Sequence, residues 1–379
     1  MYSRNVISTL AVATGALAQD TIYTYTADTI STLDLYNFTN AAPFQVYNES
    51  FSSILGHSPT ISNVLNSSNT SFPQFHEAAI FFSESTLFVT SNQYASTTSS
   101  PSTNNKTIAI TRLDKTGDSW ASTIVVPEGT ITLANGGTKY KDGLVICDQG
   151  SMTAPGGLVF MNATAPYTTK TLINNYYGVE FNSPNDVHVT SDGALWFTDP
   201  SYGSWQGIRP QPQLPNHIYR YMPETNDIRV VADGIQEPNG ITFSPDEQTA
   251  YVTDGTGNAT NPTAPRAIYA FDVITRGGQP SLANKRIFAV PQKGIPDGIK
   301  TDAAGNVYAG CGDGVNVWNE GGILLGKIVV SGGSANFILG NEGNKTQVWL
   351  LNEDKLWQAS LGLVNGVDGI DSASNRTQT

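Results

Sequence analysis

Two cysteines, four histidines and a charged fraction of only 14% are the scarcities of this 379-residue chain. Each closes off a class of protein. Two cysteines cannot staple a small disulfide scaffold, and neither a Cys-x-x-Cys nor a His-x-x-x-His spacing occurs, so zinc has no ligand set. Twenty Lys and Arg against 32 Asp and Glu leave a net charge of −12. No basic stripe exists to displace counterions from phosphates, which argues against a nucleic-acid partner. Beyond residue 18 no segment reaches the roughly 18 apolar residues that a membrane span needs.

What the chain does have is glycine, proline and repetition. Its 36 Gly and 20 Pro suit one large β domain punctuated by turns. The organising stretch runs from Asn182 to Gly203, NSPNDVHVTSDGALWFTDPSYG. Pro184-Asn185-Asp186 is a turn signal, because proline presets φ and the carboxamide can bond its own backbone. Val187 and Val189 alternate with His188, Ser191-Asp192-Gly193 turns the chain, and ALWFT follows as a second strand. The same strand–turn–strand phrase returns at His76–Tyr94, Asn135–Met152, Asn239–Gly257 and Asp297–Val315, and more weakly at Ala335–Asn352. Starting points lie roughly 40 to 60 residues apart, the spacing of blades or solenoid units. Six copies predict an all-β, six-bladed β-propeller.

The last copy offers only three strands, ending at Lys355–Leu361. A propeller must close its ring, and an N-terminal strand lent to the last blade removes an exposed edge. Pro59–Leu65 is the expected closing strand, while Thr21–Ala27 and Pro43–Tyr47 also alternate. The resulting plan is residues 1–18 a signal peptide, 19–58 an N-terminal extension, 59–365 the propeller and 366–379 a frayed tail. Arg4, the apolar run from Val6 and the site Ala16-Leu17-Ala18 predict cleavage near Ala18/Gln19 and export. Nine Asn-x-Ser/Thr sequons (Asn37, Asn48, Asn66, Asn69, Asn105, Asn162, Asn258, Asn344 and Asn375) agree with a secreted glycoprotein. Cys147 and Cys311 fall in copies two and five, on opposite sides of a six-fold ring. A disulfide needs Cα atoms within about 7 Å, so two buried free thiols are expected.

Aligning the copies places Glu77, Asn135, Asn185, Asn239, Asp297 and Asn336 at one position, the head of each unit. Pro-Asn-Asp, Pro-Asn-Gly and Pro-Asp-Gly are good turns anywhere, yet Glu77 and Asn336 lie in no such turn. First strands line a propeller's tunnel, so the six side chains should converge on the axis. Oxygen donors with two negative charges describe a hard divalent cation, and Ca2+ accepts 6 to 8 oxygens in loose geometry.

These motifs resemble a known family. PNDV…LWFTDPSYG, PNGI…YVTD and IPDG…VYAGCGDGV are similar to the gluconolactonase, regucalcin and paraoxonase group of calcium propellers. FHEA, NGGT, LINNYYG, FNSPNDV and VYAGCGDGVNVWN resemble the secreted fungal lactonohydrolases, over roughly Pro43 to Leu361. The resemblance implies a calcium-dependent lactonase acting on aldonate- or pantoyl-type lactones, with the metal on Glu77, Asn185, Asn239 and Asp297. It implies that Asn135 touches substrate or a metal-bound water. On ordinary carbonyl chemistry Asp297, bound through one oxygen, keeps the other to take a proton from water or to attack directly, the alternative being a plain ligand. Asn135 stands where the paraoxonase branch has a histidine, so that branch's histidine dyad is not expected. His76 is a second catalytic candidate because it precedes Glu77. Asn336 and His217 are further substrate-binding candidates, with Trp205, Tyr202 and Tyr177 as an apolar wall, whereas His188 should face the packing between blades. A phosphotriesterase on the same scaffold and a non-catalytic binding propeller remain open alternatives.

Overall fold

Each of the six copies becomes the inner hairpin of an antiparallel sheet in the computed structural model, which describes residues 43–257 and 263–362. The signal peptide, the Thr21–Ala27 segment, sequons Asn37, Asn258 and Asn375, and the tail from residue 366 lie outside the described residues. Blade one is built from Glu77–Ser83, Thr86–Thr90, Ile110–Thr116 and Ser119–Val125, in that order from the axis outward. Blades two to six start their innermost strands at Ala134, Val187, Pro238, Ile299 and Asn336. Those innermost strands touch in cyclic order, one to six and back to one. The ring is a six-bladed propeller.

Second strands show why this packing follows from sequence. Thr86–Thr90 (TLFVT), Leu195–Asp199 (LWFTD) and Val307–Cys311 (VYAGC) are buried along their whole length. Both faces of a blade meet another blade, so the in–out alternation of a half-solvated strand gives way to a continuous buried run. The core accordingly divides into six clusters, one for each blade-to-blade interface. Cys147 and Cys311 sit in two different clusters as buried free thiols. Burial pushes both thiols well up from their usual range.

The ring closes as the strand count demands. Thr60–Asn66 pairs antiparallel with Lys355–Gly362, from Thr60↔Ser360 to Asn66↔Lys355. One further pairing was not anticipated: Phe44–Val46 adds a fifth strand to blade five against Leu324–Val329. Helix α1 (Glu49–Leu55) links the two N-terminal strands, capped by the Asn48 side chain, which accepts the Ser50 N–H. Its Phe51, fully buried, lies over Gly326 where a Cβ would stand 2.0 Å from the ring, so only glycine admits it. Thus part of the stretch expected to precede the propeller seals blades five and six. None of the described helices is long and apolar enough to cross a membrane.

Candidate metal centre and active site

The head residues come together because each lies at or within two residues of the start of an innermost strand, at the same end of the ring. Contacts between neighbouring blades then fix them. The hydroxyls of Thr90, Thr198 and Thr253 donate to the main-chain carbonyls of Asn135, Asn239 and Asp297 in the next blade, at 3.0, 2.6 and 2.8 Å. Glycine after a head residue lets the following blade approach. A Cβ on Gly240 would lie 2.5 Å from the Asp297 carbonyl oxygen, and one on Gly298 would lie 2.3 Å from Asn336 Oδ1.

His76, Glu77, Asn135, Asn185, Asn239 and Asp297 all line one cavity of about 190 Å³. Its remaining wall is rich in carboxamides, Asn92, Gln93, Gln149 and Gln206, with Tyr202, Ile108 and Ile295 supplying apolar surface. The Gln93 amide donates to Gln206 Oε1 at 2.6 Å, linking the loops of blades one and three. Asn239 Nδ2 donates to the Tyr202 hydroxyl at 3.4 Å, and Gly255 leaves the space that this tyrosine occupies.

Two expected substrate contacts lie elsewhere. Asn336 is not part of the cavity wall; its Nδ2 donates to Glu77 Oε2 at 2.6 Å and its Oδ1 accepts the Phe337 N–H. Both ends of the carboxamide are engaged, so Asn336 orients Glu77. His217 starts the third strand of blade three, away from the axis, with Nδ1 3.2 Å from the Tyr219 hydroxyl. Trp205 and Tyr177 are largely exposed and not in the wall, whereas Tyr202 is. His188 packs against Phe243 of blade four, ring centroids 5.1 Å apart.

The cavity's electrostatics ask for a cation. Asn185 Oδ1 and Asp297 Oδ1 are both buried without any hydrogen-bond partner. A buried acceptor left unpaired costs about 1–3 kcal/mol, and two facing the same space share a missing positive partner. Asp297 lies beside Asn239 and Glu77 in the cavity wall. Glu77 is pushed up to about 8, by burial first and by the Asp297 charge second. Burial likewise raises Asp297 to about 7, with Asp186 and Glu353 adding to it and the neighbouring Glu77 and Asn239 opposing it. Among the described residues no three His, Cys, Asp or Glu side chains form a metal cluster by themselves. The donor set needs its carboxamides. Two carboxylates plus the oxygens of Asn185 and Asn239 would fit a hard oxygen-seeking ion.

Sequence reasoning missed the partner of His76. Its Nδ1 lies 2.8 Å from Glu353 Oε1, and Asn92 Nδ2 donates to the other Glu353 oxygen at 3.1 Å. A carboxylate can only accept, so Nδ1 carries hydrogen and Nε2 is left for the cavity. Burial works against the charged ring, but the bond to Glu353, its charge and that of Glu77 outweigh it, and the His76 pKa is raised. Glu353 occupies the turn between the last two strands, 277 positions away, so no local pattern could announce it.

Comparisons with known proteins agree with this geometry. A family model described as the SMP-30/gluconolactonase/LRE-like region matches residues 108–346. Lactonohydrolase oryL of Aspergillus oryzae is 36% identical over 214 residues, 51% of this chain and 49% of its own. The gluconolactonase of Zymomonas mobilis is 30% identical over 181 residues, 45% of this chain and 49% of its own. The chain thus matches about half the length of these curated relatives. Among solved structures, a gluconolactonase from Xanthomonas campestris aligns with a TM-score of 0.61 at 25% identity, over 85% of this chain and 96% of its own. Regucalcin from Agrobacterium tumefaciens, a calcium-binding protein, aligns with a TM-score of 0.56 at 16% identity over 82% and 95%, a likeness of fold alone. With more than half of its length matched by the family model and the same propeller beneath it, the chain belongs to the SMP-30/gluconolactonase/LRE-like family.

Proposed function

We propose that this protein is a calcium-dependent lactonase that opens a polyhydroxylated lactone of the aldonate or pantoyl type. The observation carrying the reading is the pair of unpartnered oxygens, Asn185 Oδ1 and Asp297 Oδ1, in a cavity whose wall is rich in carboxamides. Carboxamides offer donor and acceptor side by side, which suits vicinal hydroxyls better than an acyl tail. The names of the relatives, lactonohydrolase and gluconolactonase, support the same reaction class.

Glu77, Asn185, Asn239 and Asp297 would hold the ion. When bound, calcium supplies Lewis-acid stabilisation of the negative charge that develops on the lactone carbonyl oxygen. The chain's own groups handle protons and position. Asp297 takes a proton from the water that attacks the carbonyl carbon. His76, held by Glu353 and favouring its charged form, delivers a proton from Nε2 to the ring oxygen as the C–O bond breaks. Asn336 keeps Glu77 in place, and Asn135 with Gln149 orients the substrate hydroxyls. One water is consumed and one hydroxy acid is formed.

The test is a panel of aldonolactones, pantoyl lactone, an aryl ester and a phosphotriester, assayed with chelator and with added calcium. Chelator-sensitive opening of the first two, with little turnover of the others, is the expected result. Preferential phosphotriester cleavage would move the assignment to phosphorus, and retained calcium with no turnover of any substrate would leave a binding propeller.

We also place the protein outside the cell, a reading supported by the apolar segment after Arg4, the Ala16-Leu17-Ala18 site and the nine sequons. N-terminal sequencing of protein recovered from culture medium should begin at Gln19. A sequence starting at Met1, with all protein inside the cell, would remove this part of the proposal.

A further inference from the structure

Three buried aspartates outside the cavity share one geometry. Asp148, Asp199 and Asp254 end the second strands of blades two, three and four. Each carboxylate accepts two consecutive backbone N–H groups from the segment leading to its blade's head residue. Asp148 takes Thr132 and Leu133, both at 2.9 Å. Asp199 takes Asn182 at 2.9 Å and Ser183 at 2.8 Å. Asp254 takes Gln236 and Glu237, both at 3.2 Å. In every case the captured pair stands three and two residues before a head carboxamide: Asn135, Asn185 and Asn239.

The return bond completes the fork where the residue after the aspartate has an N–H. Gln149 donates to the Leu133 carbonyl at 2.9 Å, and Gly255 to that of Glu237 at 3.0 Å. After Asp199 comes Pro200, which has no N–H, and there the Ser183 hydroxyl donates to the Pro200 carbonyl instead, at 2.9 Å. Blades one, five and six carry Ser91, Cys311 and Asn352 at the matching place. Blades one and five supply the charged head residues, Glu77 and Asp297. The aspartate therefore accompanies the three carboxamide heads that line the cavity, Asn135, Asn185 and Asn239, whereas Asn336, the neutral head outside it, has none. Two charge-assisted bonds to adjacent N–H groups hold the backbone before each of the three, because they fix both peptide planes at once.

We propose that Asp148, Asp199 and Asp254 are positioning residues that set the reach of the carboxamide ring, Asp199 and Asp254 for the metal and Asp148 for the substrate. The inference rests on the metal reading above. Asparagine at these sites keeps the shape but turns one acceptor into a donor facing an N–H, so one prong is lost. Outer partners of metal ligands typically change affinity about 10- to 100-fold.

The experiment measures calcium affinity by titration calorimetry on the full-length protein, with KM for a lactone and Tm in chelator alongside. Asp199→Asn and Asp254→Asn should each weaken calcium binding about 10-fold or more. Asp148→Asn should leave calcium affinity within about threefold and raise KM. Should Asp199→Asn not fold, Asp254→Asn decides on the same terms. Lowered Tm with unchanged calcium affinity in the variants, or an equal effect of all three on calcium, would overturn the proposal. Wild-type protein that takes up no calcium would instead overturn the metal reading itself.

Discussion

Replacing Asp297 by asparagine should lower kcat for lactone opening by about 10²–10⁴-fold, the usual worth of a positioned general base. The substitution is close to isosteric, and the bonds that place residue 297 are made by its main chain: its N–H to the Gly310 carbonyl and its carbonyl to the Thr253 hydroxyl. The fold and the position of the side chain should therefore survive. What disappears is one negative charge beside Glu77 and, among the buried side chains of the described residues, the one carboxylate oxygen without a hydrogen-bond partner. Two losses are then mixed, weaker metal binding and loss of the proton acceptor, and saturation separates them. If Asp297 were a ligand alone, excess calcium would restore turnover. If it also accepts the proton, turnover stays low at any calcium concentration. Asn135→Ala, by contrast, should mainly raise KM, since that carboxamide lines the cavity while its backbone carbonyl is held by Thr90. An Asp297→Asn variant with near wild-type kcat would remove the proton role and leave His76 as the only proton-handling candidate.

How much of this was legible in the letters depends on how local the cause is. The hairpins were legible because turn chemistry and strand alternation are read within about ten residues. Closure by Thr60–Asn66 was legible because a three-stranded last unit leaves an unpaired edge. The convergence of Glu77, Asn185, Asn239 and Asp297 was legible only through repetition: equivalent positions in a ring must meet at its hub. What did not show was anything belonging to a single blade or a single loop. Glu353 bonds a histidine from the opposite end of the chain, and Asn336 departs from the ring's role because its amide is captured by Glu77. His217 is a substrate-binding candidate by sequence, yet it opens a third strand, and third strands stand off the axis. The rim is instead made by Asn92, Gln93 and Gln206, loop carboxamides with no periodicity to reveal them. The aspartate forks were not legible, because only coordinates show that each aspartate grips the segment before its own head residue.

Removing the metal should reverse the way stability responds to pH. In the absence of a cation, the folded protein holds Glu77 at about 8 and Asp297 at about 7, against ordinary values near 4 for the unfolded chain. Carboxyls raised by folding are neutral in both states below pH 4 and ionised in both above pH 8. Between those limits the folded state binds more protons, so stability falls as pH rises through the window. Each unit of upward shift corresponds to about 1.4 kcal/mol, and the two groups titrate as a pair rather than independently. Saturating calcium replaces the missing proton with two positive charges, keeping the pair ionised. Stability is then retained at pH 8 and lost on acidification, as protons compete the ion away, and ligand at about a thousand times its Kd adds about 4 kcal/mol. Other buried acids also titrate, Asp199 being raised to about 7 by burial. The share of the gap between the two Tm–pH curves that belongs to the pair is read from the Glu77→Gln variant. Scanning calorimetry from pH 5 to pH 8 should show Tm falling in chelator and holding or rising in calcium, with the gap widest at pH 8. Glu77→Gln, which removes one of the two charges, should narrow that gap. Parallel curves would mean that Glu77 and Asp297 share no cation, and the site would have to work without one.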